Sequence, residues 1–139
     1  MAYSPLLIKP MREELAMIGF EELMSADAVE QWAGAKEGTG LLVINSVCGC
    51  AAGMARPGVR LALEESDKKP GHIATVFAGQ DVEATATARG LIPQVPPSSP
   101  SMAFFKDGEL AFFLPRHRIE GRSAEDVASD LKAAFAEHC

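Results

Sequence analysis

Apolar positions at helical spacing occupy the start of the chain. Met11, Leu15 and Ile18 predict a helix behind Pro10, a residue that suits the first helical position. A second helix is predicted over 25–38, because a serine precedes apolar residues that again recur at helical spacing. The chain is therefore expected to open with a helical extension.

Two apolar runs rich in branched residues follow, and each has the pattern of a buried strand. They span 40–47 and 72–78. A helix is predicted after each run, over 51–65 and 81–89, and Pro57 is expected to kink the first of these helices. Strands that alternate with helices in this way predict a sheet with a parallel part.

The C-terminal part of the chain combines a hairpin with a helix. Two strand-like runs, 102–106 and 109–114, are separated by Asp107-Gly108, a strong hairpin signal. Ser123 and Asp126 have the spacing of a capping box and predict the start of a final helix. The whole pattern predicts an α/β fold, with a mixed sheet of about four strands flanked by helices.

The composition is that of an ordinary globular domain. Of the 139 residues, 47% are hydrophobic and 23% are charged, so the chain is long enough to build one core. The formal net charge of −6 argues against nucleic-acid binding, which needs a basic face. No apolar run approaches the ~20 residues needed to cross a bilayer. We therefore expect neither a nucleic-acid nor a membrane partner.

Two further features point to the cytoplasm. The apolar run near the N-terminus is broken by Pro5 and ended by Lys9, which makes it too short for the centre of a signal peptide. The chain has three cysteines, an odd and low number that argues against a secreted disulfide scaffold. A cytoplasmic protein is expected, and its cysteines need individual explanations.

Cys48-Gly49-Cys50 lies where the first predicted strand turns into a helix. Unpaired N–H groups at a helix start favour thiolate over thiol, and thiolate is the nucleophile. Cys48 can attack an external disulfide, and Cys50, in the first helical turn, can resolve the mixed intermediate. Gly49 permits the bent backbone that such close cysteines require. The carboxyl ends of parallel strands are also where reactive groups gather in α/β sheets.

The cysteine pair has two other interpretations. Free cysteines are often small buried hydrophobes, but that does not explain two of them around a glycine at such a turn. Clustered thiolates also bind metals, yet His72, His117, His138 and Cys139 form no second ligand cluster. We expect thiol-disulfide exchange without a metal. A metal or iron–sulfur module, with its cluster between two subunits, is the alternative.

The residues around the pair resemble those of one family. The sequence NSVCGCAAG at 45–53, followed by ARP at 55–57, is similar to the bacilliredoxins, which are thioredoxin-like bacterial proteins. The resemblance covers nearly the whole chain. It implies a single thioredoxin-like domain over 1–139, with a helical extension over 1–38 and a core over 39–139.

The resemblance also implies a reaction. Cys48 would attack the mixed disulfide between a client protein and bacillithiol and take up the small thiol, and Cys50 would then release it. The implied partners are client proteins and a low-molecular-weight thiol, with bacillithiol as a co-substrate and no tightly bound cofactor; a homodimer is compatible with this. Protein disulfide isomerase or weak oxidoreductase activity is the alternative. Strong reductase activity is not expected, because only one residue separates the cysteines and Val47 stands where thioredoxins have tryptophan.

Supporting residues are predicted on both sides of the centre. Ser99-Pro100 precedes a strand where thioredoxin-like folds place a cis-proline, so the resemblance implies that Pro100 lies beside the cysteines. Arg56, on the helix that follows the pair, is the preferred candidate for binding an anion. Four other basic or histidine side chains form a cluster after the last strand, which is interpreted as a solvated loop, with recognition of the carboxylates of a small thiol as the alternative. This cluster consists of Arg116, His117, Arg118 and Arg122.

Two more residues carry weaker signals. Cys139 ends the sequence, where a chain terminus is expected to fray, and its thiol is interpreted as incidental rather than as part of the exchange centre. His72 begins a predicted strand and is interpreted as structural.

Overall fold

The computed structural model describes residues 3–35 and 37–139, which form a mixed five-stranded sheet with helices on both faces. A π-helical turn, Ala51–Ala55, precedes the third α-helix. The regular elements are α1 (Pro5–Ala16), β1 (Glu21–Glu22), α2 (Ala26–Gly34), β2 (Thr39–Asn45), α3 (Arg56–Glu65), β3 (His72–Phe77), α4 (Val82–Gly90), β4 (Ser101–Lys106), β5 (Glu109–Leu114) and α5 (Ala124–His138).

The strands lie in the order β1-β3-β2-β4-β5. β1, β3 and β2 are parallel, whereas β4 runs antiparallel to β2 and β5 antiparallel to β4. β2 is thus the central strand, and all seven of its residues are buried. Its carboxyl end, which leads to the cysteine pair, is therefore held on both sides by hydrogen-bonded neighbours.

Alternating side chains of β2 divide the core into two layers. Leu41 and Val43 pack with α1, α3 and α5 on one face of the sheet. Leu42 and Ile44 pack with α2 and α4 on the other. A continuous apolar run in the sequence is therefore needed, because both faces of this strand are covered by helices.

The first helix begins earlier than predicted. The expectation that Pro10 occupies its first position is wrong, because Pro5 does so and the Ser4 carbonyl accepts hydrogen bonds from Leu7 and Ile8. Pro10 lies inside the helix and has no N–H to donate to the carbonyl four residues before it. Because this side of the helix is exposed, water can donate to that carbonyl instead.

The N-terminal segment also contributes a strand. Glu21 and Glu22 pair with Ala74 and Thr75 of β3, so the sheet has five strands where about four were expected. Two residues are too few for an alternating pattern to show in a sequence. The segment is therefore not purely helical, although the proposed division at residue 38 stays a prediction. In the described part of the chain, no helix combines the length and apolarity that a membrane crossing requires.

The helix after the cysteine pair contains a wide turn instead of a proline kink. The Arg56 N–H bonds to the Ala51 carbonyl, five residues back, and Pro57 falls in the first turn of α3, where no N–H donor is needed. The C-terminal predictions are confirmed: Asp107-Gly108 joins β4 and β5 with positive φ angles at both residues, and a capping box opens α5 at Ser123.

Candidate active site at the strand-to-helix turn

Cys48 lies at the predicted turn, three residues after the end of β2. Its carbonyl accepts hydrogen bonds from the N–H groups of Ala51 (3.1 Å) and Ala52 (3.3 Å). Cys48 therefore stands at the start of the helical turn that follows β2. Gly49 is exposed and Cys50 lies in the first helical turn. Both thiols are free. The backbone N–H groups of Ala51 and Cys50 also interact with the Cys48 thiol and lower its pKa.

The Cys48 thiol is partly buried and has several hydrogen-bond donors. The Ser46 hydroxyl donates to its sulfur at 3.2 Å. Burial by itself raises the pKa of Cys48, but hydrogen bonds from Cys50, Ser46 and the N–H of Ala51 outweigh it and hold the pKa below its ordinary value. Cys48 is accordingly the thiol that ionises more readily and can act as the nucleophile.

Cys50 has the opposite character. Only 7% of it is exposed, and burial raises its pKa, with a further increase from its hydrogen bond to Cys48 and the charge of that thiol. The positive charge of Arg116 acts in the other direction without reversing the shift. A buried thiol of raised pKa beside a partly exposed thiol of lowered pKa is suited to a second, resolving step.

The Ser99-Pro100 loop lies at the same end of the sheet. Ser101, the next residue, is paired with Ile44 of β2, four residues before Cys48. The Ser99–Pro100 peptide bond is cis and Pro100 is buried. The Ser99 carbonyl accepts a hydrogen bond from Arg116 Nη1 at 3.3 Å.

Arg56 is a structural residue rather than an exposed anion-binding one. Its side chain is 2% exposed, and Nη1 donates to Asn45 Oδ1 and to the Ser46 carbonyl, each at 2.9 Å. Nε lies 3.2 Å from Glu14 Oε1 on α1. The expectation that Arg56 binds a substrate anion is therefore not supported, because its guanidinium is buried and already holds the backbone beneath Cys48.

The basic cluster after β5 is divided between two tasks. Arg118 and Arg122 both pair with Asp130 of α5, at 3.7 and 2.6 Å. Arg116 instead reaches the Ser99 carbonyl and acts electrostatically on both cysteines. Arg116, His117 and Arg118 are exposed, as a solvated loop requires, but Arg116 is also held to the Ser99 carbonyl.

The remaining cysteine and His72 lie far from the pair. Cys139 Sγ is 3.7 Å from Thr39 Oγ1, at the opposite end of β2 from Cys48. His72 packs edge-on against Trp32 with ring centroids 4.9 Å apart, beside Gly40 at that same end. Neither residue can take part in chemistry at Cys48 within one molecule.

Ligands for a metal do not gather around the pair. Within residues 3–35 and 37–139, no group of three or more His, Cys, Asp and Glu side chains could hold a metal ion. Cys48 and Cys50 supply two of the four ligands that a tetrahedral site needs. A metal or iron–sulfur centre would thus depend on ligands from a second molecule.

Sequence reasoning missed Ser46 and Asn45 as functional neighbours and named Arg116 without placing it beside the pair. Ser46 touches the nucleophilic sulfur, Asn45 bridges β2 to Arg56, and Arg116 lies near the pair from a distant part of the chain. The position of Ser46, two residues before Cys48 at a predicted turn, could have indicated that its hydroxyl reaches the sulfur. The hairpin of β4 and β5 was predicted, but the place of Arg116 also depends on the pairing of β4 with β2, for which the sequence gives no sign.

Comparison with known proteins agrees with this geometry. A family model described as "Disulphide isomerase" matches residues 3–139. The chain is 51% identical to a bacilliredoxin of Geobacillus kaustophilus over 137 residues, which are 99% of this chain and 94% of the relative. It is 55% identical to a bacilliredoxin of Cytophaga hutchinsonii over 135 residues, 97% and 98% of the two chains. This chain belongs to the bacilliredoxin family. The resemblance stated from its motif is confirmed.

Solved structures confirm the expected fold. The bacilliredoxin chain superimposes on Fasciola hepatica thioredoxin with a TM-score of 0.60 at 20% identity, covering 86% of this chain and all of the other. A solved structure described as "A putative oxidoreductase with a thioredoxin fold" gives a TM-score of 0.58 at 19% identity, with 82% of this chain and 91% of the other covered. The protein is therefore a thioredoxin-like redox protein of the bacilliredoxin family.

Proposed function

We propose that this protein is a thiol-disulfide oxidoreductase that removes bacillithiol from mixed disulfides on client proteins. The observation that carries the proposal is the asymmetry of the cysteine pair, with a partly exposed thiol of lowered pKa beside a buried thiol of raised pKa. The name of its relatives, bacilliredoxin, supports bacillithiol as the small thiol. The cytoplasm is the proposed compartment, because thiol pools there keep cysteines reduced.

The proposed first step is attack by the Cys48 thiolate on the sulfur of the small thiol. A new disulfide forms between Cys48 and the small thiol, the original disulfide breaks, and the client cysteine leaves as a thiolate that takes a proton from water. Hydrogen bonds from Ser46 and the Ala51 N–H favour the thiolate form of the attacking sulfur. The client is thereby reduced.

The second step belongs to Cys50. Once Cys48 is in a disulfide, its negative charge is gone, which removes one cause of the raised pKa of Cys50. The Cys50 thiol loses its proton and its sulfur attacks Cys48, releasing the small thiol and leaving a Cys48–Cys50 disulfide. A second thiol from the cell's reducing pool must then reduce this disulfide before the next cycle.

Isomerisation or weak oxidation of protein disulfides by the same centre is a second candidate. The description of the family model, disulphide isomerase, favours it. The same Cys48 thiolate would attack a protein disulfide, and rearrangement would follow before Cys50 completes a reduction. The two activities differ in the substrate that Cys48 meets, and they share every residue of the centre.

A removal assay separates these candidates. A client protein carrying bacillithiol on one cysteine is incubated with wild type, Cys48→Ala or Cys50→Ala, and the mass of the client is followed. Wild type is expected to restore the free client and Cys48→Ala to be inactive. Faster refolding of a scrambled disulfide protein, without removal of bacillithiol, would instead support the isomerase. Full removal by Cys48→Ala would refute the assignment of the nucleophile.

A further inference from the structure

Three chain segments meet beside the cysteine pair. Ile44 of β2 is paired with Ser101 of β4, and Met102 is paired with Leu114, the last residue of β5. Arg116 follows Leu114 by two residues, so the sheet brings it to the end at which Cys48 lies. Its backbone N–H bonds to Ser98 Oγ and its Nη1 bonds to the Ser99 carbonyl, each at 3.3 Å.

Arg116 differs from the neighbouring cations in what it faces. Arg118 and Arg122 are paired with Asp130, and Arg56 is buried beneath the turn. The pKa of Arg116 is raised first by its hydrogen bond to Glu120 and next by the negative charges of Cys50 and Cys48. Its guanidinium is therefore within electrostatic reach of both sulfurs while it stays open to solvent.

Glu120 is the present partner of this guanidinium. Its Oε2 lies 2.7 Å from Arg116 Nε, and both side chains are about half exposed, at 45% and 59%. Exposed pairs one helical turn apart contribute little to stability, so an incoming carboxylate can replace Glu120 at small cost. The planar fork of arginine suits a carboxylate in two-point contact. A shallow groove lined by Ser98, Arg116, His117 and Glu120 gives access to it.

We propose that Arg116 forms a carboxylate-binding subsite beside the cysteine pair, so that favoured substrates are mixed disulfides whose small-thiol half carries a carboxylate. The inference rests on the proposed function, because it names the class of thiol that the exchange reaction prefers. Arg116 binds and orients the small thiol; bond making and breaking stay with Cys48 and Cys50.

A pair of alkylating reagents measures the subsite without any exchange reaction. Iodoacetate carries a carboxylate, and iodoacetamide is its neutral analogue of nearly equal size. The ratio of their rates at Cys48 is measured for wild type and Arg116→Gln. A change in thiol pKa alters both rates alike and cancels in the ratio. We expect the ratio to fall about fivefold in Arg116→Gln, a factor typical of one contact between charges in water.

The matched control is Arg118→Gln, which removes the same charge from the same short turn but from a side chain paired with Asp130. Its ratio is expected to stay at the wild-type value, and Arg116→Lys is expected to recover part of the loss. An unchanged ratio in Arg116→Gln, or an equal fall in Arg118→Gln, would overturn the subsite and leave the proposed function untouched.

Exchange on two mixed disulfides completes the test. One peptide cysteine is blocked with 3-mercaptopropionate and another with its neutral amide, 3-mercaptopropionamide. Wild type is expected to release the acid faster, and Arg116→Gln is expected to lose that preference. Equal release of both by wild type overturns the subsite alone. No removal of bacillithiol from a modified client by wild type, with normal alkylation of Cys48, overturns the proposed function and the inference with it.

Discussion

Cys48 and Cys50 are separated by one glycine, yet the fold places them in different surroundings. Cys48 lies at the surface among hydrogen-bond donors, whereas Cys50 is 93% buried and packs into the core with α3 and α5. Their thiols interact closely, so protons leave the pair in two linked steps. The order follows from the environment: the exposed thiol ionises first and the buried one later, which is the order that attack and resolution require.

Ser46 provides a direct test of this environment. Burial raises the pKa of Cys48 and hydrogen bonds lower it, so loss of the Ser46 hydroxyl in Ser46→Ala should move the pKa upward. The alkylation profile then shifts to higher pH, and the rate at pH 7 falls about fivefold, as expected for one hydrogen bond to a charged group that water partly replaces. Thiolate absorbance measured against pH gives the same shift.

Ser129→Ala, a change on the exposed face of α5, is the control and should leave the profile in place. A Ser46→Ala profile that coincides with wild type would show that the 3.2 Å contact does not stabilise the thiolate.

The identity of the reactive residues was open to prediction from the sequence, whereas their support was not. Two thiols around a glycine are rare and chemically specific, so Cys48 and Cys50 stand out without a structure. Arg56 was assigned to an anion because a sequence shows its charge but not its 2% exposure. The place of Arg116 depends on the pairing of β4 with β2, which joins distant parts of the chain and leaves no short-range pattern in the sequence.

At the scale of elements, Arg56 connects α1, β2 and α3 beneath the active turn. Arg56→Ala removes the arginine donor from the Ser46 carbonyl and one of the two donors to Asn45 Oδ1, which keeps its bond from the Ser46 N–H. We expect a loss of about 2–4 kcal/mol in the free energy of unfolding, the range for breaking a buried polar network. Urea denaturation measures it.

Arg60→Ala is a matched control on the same helix, because Arg60 is exposed and pairs only with Glu64. It should cost less than about 0.5 kcal/mol. Equal losses in the two variants would show that the contacts of Arg56 add nothing beyond those of a surface charge.

Close approach of α3 and α5 gives a second test at this scale. A Cβ added at Gly58 would lie 2.6 Å from Val127 Cγ1 and 3.1 Å from the Ala124 carbonyl. Gly58→Ala should therefore destabilise the protein by about 1–3 kcal/mol, although alanine is the better helix former. At Gly34 nothing lies within 4 Å of such a Cβ, so Gly34→Ala should be neutral or stabilising by up to about 1 kcal/mol. Thermal unfolding compares the two, and a stabilised Gly58→Ala would contradict the described packing.

Elements were predictable where the sequence carries a clear signal within the element itself or at its end. The capping box of α5 and the Asp107-Gly108 hairpin are local signals, and both were found in the structure. β1 escaped prediction because it has two residues and exists through its pairing with β3. The start of α1 was misplaced because two prolines suit a helix start and only packing selects between them. The π-helical turn before α3 has no signature in residue spacing.

On the scale of the whole molecule, the sheet separates the exchange centre from the third cysteine. Cys139 contacts Thr39 at the start of β2, and the pair lies beyond its end, about 20 Å away at the usual rise per residue of a strand. We predict that Cys139→Ser keeps the wild-type exchange rate, because its thiol cannot reach Cys48 in the same molecule. The removal assay on a thiol-modified client checks this, and a loss of activity comparable to that of Cys48→Ala would require Cys139 to act from another molecule.

Trapping of the intermediate tests the roles of the two cysteines most directly. Cys50→Ala removes the resolving thiol but leaves Cys48 with its Ser46 contact, so a mixed disulfide with the small thiol should accumulate on Cys48. Mass spectrometry of the protein, digested after reaction with a bacillithiol-modified client, identifies both the adduct and its position. The predicted result is bacillithiol on Cys48 of Cys50→Ala and no adduct at Cys50 of Cys48→Ala. An adduct on Cys50, with Cys48 unmodified, would contradict the assignment of Cys48 as the nucleophile.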